Sequence, residues 1–433
     1  MVDRRDIFVL ALDKGNLRTL QQVPGAERFR YHGLLGIEET QEGEIPIEEL
    51  LHKARRELEA FDGEIAAIVG YWDFPVTALV PMLCERFGLP SADLEAIAKC
   101  EHKYWSRLEQ SEVVDDLPKF GIVDLAGEPR LPEGMAYPVW LKPVKSFSSE
   151  LAFHVHDDRE FADAVDRIRE GVGRVGKPFE FVLDRLDLPA EIAEIGGQAC
   201  LAEEALTGVQ AATEGYVYQG KVVVNGALDS INYPDTPCFL RHQYPSQLPP
   251  EIVRRMTEIS ERVIERIGLD NTMFSIEFFC EPDTGRVTIL EINPRHSQSH
   301  ADMFLAVGGV PNHHCMLALG LGEDPAMPRG EGPYEIAAKW YHRRFADAVV
   351  RRVPTAAEIE RIQREIPGVT VELVTAEGAR LSDAPAQDSY SFELADIFVG
   401  ADSEAELIRK YDKCVAALRF EFEEIEQSAG AAR

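Results

Sequence analysis

Short apolar runs alternate with amphipathic stretches over the first ninety residues. Residues 7–12 and 65–70 are continuously apolar and read as buried strands. Between them, 47–61 repeats apolar positions at helical spacing, and 75–87 does so again before Gly88. Strands alternating with helices predict a parallel α/β domain over 1–92. No Gly-x-Gly-x-x-Gly turn follows its strands, so dinucleotide binding is not indicated.

The pattern then becomes mixed. Residues 93–110 read as a helix carrying Lys103. An apolar strand over 137–144 contains Lys142, and the polar loop 145–150 follows with Ser146, Ser148 and Ser149. A strand at 151–155 and a helix at 159–169 come next. Residues 199–206 form a strand ending in Glu203, Glu204, Ala205 and Leu206. A long hairpin spans 211–218 and 221–231 about Gln219 and Gly220. Residues 250–267 form an amphipathic helix closed by Gly268. A short helix at 311–321 bears His313 and His314, which diverge by about 100° on a helix and so do not share a metal. A Gly- and Pro-rich linker over 320–332 leads to a last module with strands at 335–343, 369–374 and 389–399 and helices at 355–365 and 403–425.

The chemistry concentrates in a second hairpin. Residues 274–279 and 287–290 read as strands joined by the turn at Pro282, Asp283, Thr284 and Gly285. Beyond the apolar run, Glu291, Asn293 and Arg295 stand at alternate positions, so in extended chain they project from one face. Pairing of the strands would bring Glu277 beside Glu291. Two carboxylates and an amide oxygen suit a hard cation such as Mg²⁺, and the planar fork of Arg295 suits a phosphate or carboxylate.

Composition narrows the partners. The chain has 433 residues, a net charge of −30 and 45 % hydrophobic residues, as in a globular protein of several domains. The negative charge disfavours nucleic acid and anionic membranes. No apolar run approaches the ~20 residues of a membrane span, and no signal peptide is evident. The seven cysteines are scattered without a Cys-x-x-Cys pair, which points to a cytoplasmic location.

Taken in order, Lys103, Lys142, the 146–149 loop, Glu203 and Glu204, Glu277, Glu291, Asn293 and Arg295 resemble the ATP-grasp superfamily. The resemblance implies an α/β and α+β architecture: a Rossmann-like pre-grasp domain at 1–92, a small ATP-grasp subdomain at 93–206, a large one with the metal site at 207–325, and a C-terminal α+β module at 333–433. It implies ATP and Mg²⁺ as cofactors, with Mn²⁺ as a substitute. Lys103 and Lys142 would contact the nucleotide phosphates, and Ser146, Ser148 and Ser149 would fold over them. Glu203 to Leu206 would meet the adenine edge and Gln210 the ribose. Glu277, Glu291 and Asn293 would ligate metal, while Arg295 and Lys142 would stabilise the transferring phosphoryl group. Gln210 stands where the family often has glutamate, and the loop has Phe147 where glycine is common.

Within the superfamily, the chain departs from biotin carboxylase, a more distant likeness shared with D-alanine–D-alanine ligase. Ser299 replaces the glutamate that serves as base there, and the run Leu240, Arg241, His242, Gln243, Tyr244 lacks the carboxylase lysine. The C-terminal module and the stretch 229–244 resemble carboxylate–amine ligases such as L-amino-acid ligases and carnosine-synthase-like enzymes. That implies amide formation through an acyl phosphate from a small carboxylate and an amine. Arg241 would grip a substrate carboxylate, and His296, Ser297, Ser299 and His300 would line the acceptor side. A homodimer is compatible with this reading. A small-molecule kinase, a carboxylase-like enzyme and a non-catalytic nucleotide-binding module remain alternatives on the same fold.

Overall fold

Three parallel strands form the first sheet, in the order Phe29–Leu34, Arg5–Leu10, Ile65–Val69. The first of these is missing from the apolar pattern because only its ends, Phe29 and Leu34, are buried and it carries Arg30 and His32 between them. Helices Ile47–Glu59 and Val76–Phe87 bury Leu50, Leu51, Leu79 and Leu83 in the core beside this sheet. Gly88 ends the second helix at φ +65°, a left-handed position that glycine takes without a Cβ clash.

The structure is a computed structural model that describes residues 4–147, 150–236, 238–383 and 391–425. It divides into two compact units. One comprises Met1–Ala227, Leu248–Gln298 and Pro311–Met327; the other comprises Leu228–Gln247, Ser299–Val310 and Pro328–Arg433.

In the larger unit, the helix expected over 93–110 is two helices, Leu94–Glu101 and Lys103–Ser111. His102 breaks them with ψ 96°, and its ring accepts the Trp105 N–H at 3.1 Å as an N-cap. A four-stranded antiparallel sheet follows, ordered Phe120–Val123, Cys200–Glu204, Val139–Pro143, Phe153–Val155. Helix Asp158–Gly171 buries Phe161, Val165 and Ile168 against Val139 and Leu141. Helix Gly173–Leu183 escaped the sequence reading because Gly176 and Pro178 interrupt its pattern, yet Val175, Phe179 and Val182 are core residues. The unit also contains the antiparallel strands Arg286–Asn293, Thr272–Glu281 and Val209–Tyr218, in that order. Helix Pro250–Ile267 packs on them through Ile252, Met256, Ile259 and Val263, which recur at helical spacing and meet Phe274, Ile276, Phe278 and Ile289.

The smaller unit is a sheet ordered Phe239–Tyr244, Ile336–Arg344, Phe392–Ala401, Val369–Leu373. Helices Ala356–Glu365 and Glu404–Ala417 belong to its core, where Tyr411 stacks on Trp340 at 4.5 Å. The helix expected to run to 425 ends at Ala417. Residues Glu421–Glu424 instead pair with Ala348–Arg352 as a two-stranded ribbon. All seven cysteines are free and buried.

Candidate active site

The Glu277 and Glu291 carboxylates come to face each other because of a bulge. In the hairpin, Phe278 pairs with Ile289, but Glu277 pairs with Glu291, leaving Leu290 as the extra residue. Val287 and Ile289 are buried in the core with Phe278. Strict alternation would put Glu291 on that same apolar face. The bulge changes the phase, so Glu291 lies opposite Glu277 and Asn293 opposite Ser275, while Ile292 returns to the core. The Asn293 Nδ2 is 3.4 Å from both Glu277 Oε1 and Glu291 Oε1.

Burial, and next the neighbouring Glu291 charge, push the Glu277 carboxyl up to about 8. Desolvation opposes ionisation of the half-buried Glu291, but Lys103 and Lys142, with the Asn293 hydrogen bond and Arg295, hold it below the usual carboxylate range. Two carboxylates that cannot both ionise comfortably fit a cation between them. Among the described residues, no cluster of three His, Cys, Asp or Glu side chains could hold a metal alone. The residues present fit Mg²⁺ taken with substrate phosphates, since such sites use one or two carboxylates and leave other positions to phosphate and water.

The cations come from two other elements of the same unit. Lys103 opens helix Lys103–Ser111; its Nζ donates to the Ser146 carbonyl at 2.8 Å and lies 3.8 Å from Glu291 Oε2. Lys142, on strand Val139–Pro143, forms a buried ion pair with Glu203 on the neighbouring strand. Burial opposes ionisation of Glu203, yet Arg107 and Lys142 together hold its carboxyl down at about 2. Glu203 therefore turns its carboxylate toward these two cations. In Glu204, Oε2 accepts the Lys119 N–H at 3.2 Å, and the Ala205 N–H reaches Pro138 O at 3.4 Å. Leu206 ends the run half-buried, and Gln210 lies on the strand beside Phe279.

Ser146 is buried, and Lys145 before it is held beside Glu101 at 3.3 Å, over the rings of Phe74 and Phe179. Ser148 and Ser149 lie outside the described residues. Arg295 follows the end of its strand. Its Nε and Nη2 each donate to an Asp73 carboxylate oxygen at 2.8 Å, and its Nη1 reaches the His296 carbonyl at 3.3 Å. Asp73 belongs to the turn after strand Ile65–Val69, at the carboxyl end of the parallel sheet where open α/β folds bind ligands.

The acceptor-side residues separate. His296 is buried edge-on to His313, with ring centroids 4.8 Å apart. The Ser297 N–H donates to Glu214 at 3.3 Å, and its carbonyl accepts from Asn312 at 2.8 Å. Ser299, His300 and Arg241 belong to the smaller unit. There the Ser299 side chain bonds Tyr341, and His300 lies 5.0 Å from His242. Arg241 is already paired: its Nη2 meets Glu404 Oε1 at 2.7 Å and its Nε meets Gln243 at 3.1 Å. A substrate carboxylate would have to displace Glu404 to reach it.

Residues 135–301 match the ATP-grasp domain family. The chain carries an ATP-grasp domain. Solved structures share the ATP-grasp fold over nearly the whole chain. The L-amino acid ligase from Bacillus licheniformis has a TM-score of 0.72 and 15 % identity, covering 98 % of this chain and all of that one. Phosphoribosylglycinamide synthetase from Anaerococcus prevotii has a TM-score of 0.66 and 12 % identity, covering 97 % and 100 %. Biotin carboxylase from Campylobacter jejuni has a TM-score of 0.62 and 14 % identity, covering 96 % and 92 %. Curated relatives match locally: the carbamoyl phosphate synthase large chain of Arthrobacter sp. is 46 % identical over 55 residues. That stretch is 13 % of this chain and 5 % of the relative, so the chain spans only a small part of these relatives' length. Among the described residues, no helix is long and apolar enough to cross a membrane.

Proposed function

We propose that the chain is an ATP-dependent carboxylate–amine ligase that works through an acyl phosphate and releases ADP and phosphate. The observation that carries this reading is the Glu277–Glu291 pair with Asn293, faced by Lys103 and within reach of the Lys142 charge. These are oxygen donors and cations of the kinds that phosphoryl transfer uses. Such transfer depends on alignment and charge neutralisation more than on a covalent enzyme nucleophile. Mg²⁺, when bound, supplies charge neutralisation at the nucleotide's outer phosphates. Lys103 and Lys142 would hold the phosphates from the side opposite the carboxylate pair. Arg295, fixed by Asp73, would stabilise charge on the transferring group. Backbone at Glu204 to Leu206 would meet the adenine and Gln210 the ribose. The roles expected of Arg241, His296, Ser297, Ser299 and His300 toward the carboxylate and amine belong to this proposal.

Two comparisons support acyl-phosphate chemistry and ligation. The curated relatives are named as synthases of carbamoyl phosphate, itself a mixed anhydride of phosphate. The ligase likeness extends over 98 % of the chain, and Ser299 occupies the position of the carboxylase base.

The test is product analysis with a matrix of small carboxylates and amines. A ligase forms ADP and phosphate only when both substrates are present, and mass spectrometry finds the amide. ADP with a stable phosphorylated product would mean a kinase instead; ATP binding without turnover would mean a binding module. Glu291→Ala should abolish turnover and leave the fold intact, because Glu291 projects from the half-exposed face and not into the core. Undiminished turnover in that variant sinks the assignment.

A further inference from the structure

Arg107 has no role in the site as described so far, yet its side chain is 2 % exposed and reaches three of its parts. It stands one helical turn after Lys103 on helix Lys103–Ser111, so the two side chains share a face. Its Nε donates to Glu203 Oε1 at 2.6 Å. Its Nη1 donates to the Ile289 carbonyl at 2.9 Å and to Gln110 Oε1 at 2.6 Å. Its Nη2 donates to the Leu290 carbonyl at 2.8 Å. Ile289 and Leu290 form the bulge that turns Glu291 toward Glu277. A bulge interrupts the ladder and leaves backbone groups in need of other partners. One guanidinium supplies two of them here.

We propose that Arg107 is a positioning residue: by bonding the two bulge carbonyls and Glu203 at once, it fixes the direction of the metal-side Glu291 and the place of Lys142. This rests on the ATP and Mg²⁺ reading of the site. The fork geometry is what the task needs. The acceptors lie in different directions, two carbonyls on one strand and a carboxylate on another. A guanidinium spans them in one plane, whereas a lysine ammonium is a point charge on a flexible stem. Mispositioning Glu291 would weaken the coupling between metal and nucleotide, because partners that orient a ligand tune its metal affinity.

The experiment measures ATP affinity of the full chain by calorimetry, with Mg²⁺ and again with EDTA, for wild type, Arg107→Lys and Arg107→Gln. The ratio of the two affinities is the readout, and thermal unfolding is followed in parallel. Arg107→Gln leaves Glu203 paired with Lys142, so no lone charge remains inside, but it takes the guanidinium fork away from the bulge carbonyls. We expect both variants to fold and the Mg²⁺ enhancement to drop about tenfold or more in each, as is typical when a ligand's orienting partner is lost. A wild-type ratio in either folded variant overturns the proposal. Failure of both to fold overturns it as well, making Arg107 a folding residue. A wild-type chain whose ATP affinity ignores Mg²⁺ would instead overturn the metal reading, and the two failures are thereby distinguished.

Discussion

Asp73→Asn tests whether Arg295 works from a fixed position. The substitution keeps the shape of the side chain and removes its charge. Both carboxylate oxygens of Asp73 accept from Arg295 at 2.8 Å, a bidentate arrangement that adds direction to attraction. The two side chains keep 16 % and 25 % of their exposure, so the pair is neither buried nor free. Exposed pairs contribute roughly 0–1 kcal/mol and loss of one partner of a buried pair costs about 3–5 kcal/mol; this pair should lie between, at about 2 kcal/mol. Two nearby acids, Glu277 and Glu291, also attract the Arg295 guanidinium. Without Asp73 it should swing toward them and compete with a cation there. The expected result is a fall in melting temperature of about 2–3 °C, together with a higher Mg²⁺ requirement and a lower kcat. The assays are thermal unfolding and ADP release across a Mg²⁺ titration. A double-mutant cycle with Arg295→Gln isolates the pair and should return a coupling of about 2 kcal/mol. A coupling under about 0.5 kcal/mol, the level at which independent sites simply add, with an unchanged Mg²⁺ requirement, would refute the reasoning.

Two more outcomes follow from other parts of the chain. His102 is fully buried, donates to the Gly196 carbonyl at 3.0 Å, and is held neutral with its ring pushed down to about 4, chiefly by burial. Since its folded value lies below the unfolded one of about 6.5, the unfolded chain takes the proton first, so stability is complete above about 6.5 and is lost as pH falls toward 4, by about 2 kcal/mol at pH 5. Urea melts at pH 5 and 7.5 should show that difference, and His102→Gln should reduce it by that amount; an equal difference in the variant would rule His102 out as the cause. In the smaller unit, Glu404 is 42 % exposed and occupies Arg241. If Arg241 grips the substrate carboxylate, Glu404→Gln removes a competitor, and the carboxylate KM should fall several-fold with the ATP KM unchanged; no change in either parameter would retire Arg241 from that role.

Much of the fold was legible because burial and periodicity agreed. Helix Pro250–Ile267 was bounded in sequence by proline at its start and glycine at its end, with a single apolar face between. The hairpin of Thr272–Glu281 and Arg286–Asn293 was equally clear, since apolar runs flank a turn of Pro, Asp, Thr and Gly. What was lost had mixed signals. Strand Phe29–Leu34 is buried only at its ends, with polar or exposed residues between. Helix Gly173–Leu183 contains a proline, and His102 caps a helix from inside what reads as one continuous helix. In each case tertiary packing, or a side chain acting as a cap, overrode the local pattern.

The site shows the same limit more sharply. Alternation puts Glu291, Asn293 and Arg295 on one face, but it also puts Glu291 on the face of Val287 and Ile289, which is apolar. Both cannot hold in a regular strand that has a core on one side. The conflict was a signal that the strand must change phase just before Glu291, and the bulge at Leu290 is that change. A phase change in turn needs something to bond the freed carbonyls, and only a donor from another element could do so. Arg107, four residues beyond a lysine already singled out and on the same helical face, was the nearest candidate by spacing. Its partner carbonyls lie some 180 residues away in sequence, which no local pattern reveals. Polar residues that break a strand's alternation, and charged residues one helical turn from a lysine beside the same carboxylates, are therefore best read together: the first states that a phase change is needed, and the second can supply its support.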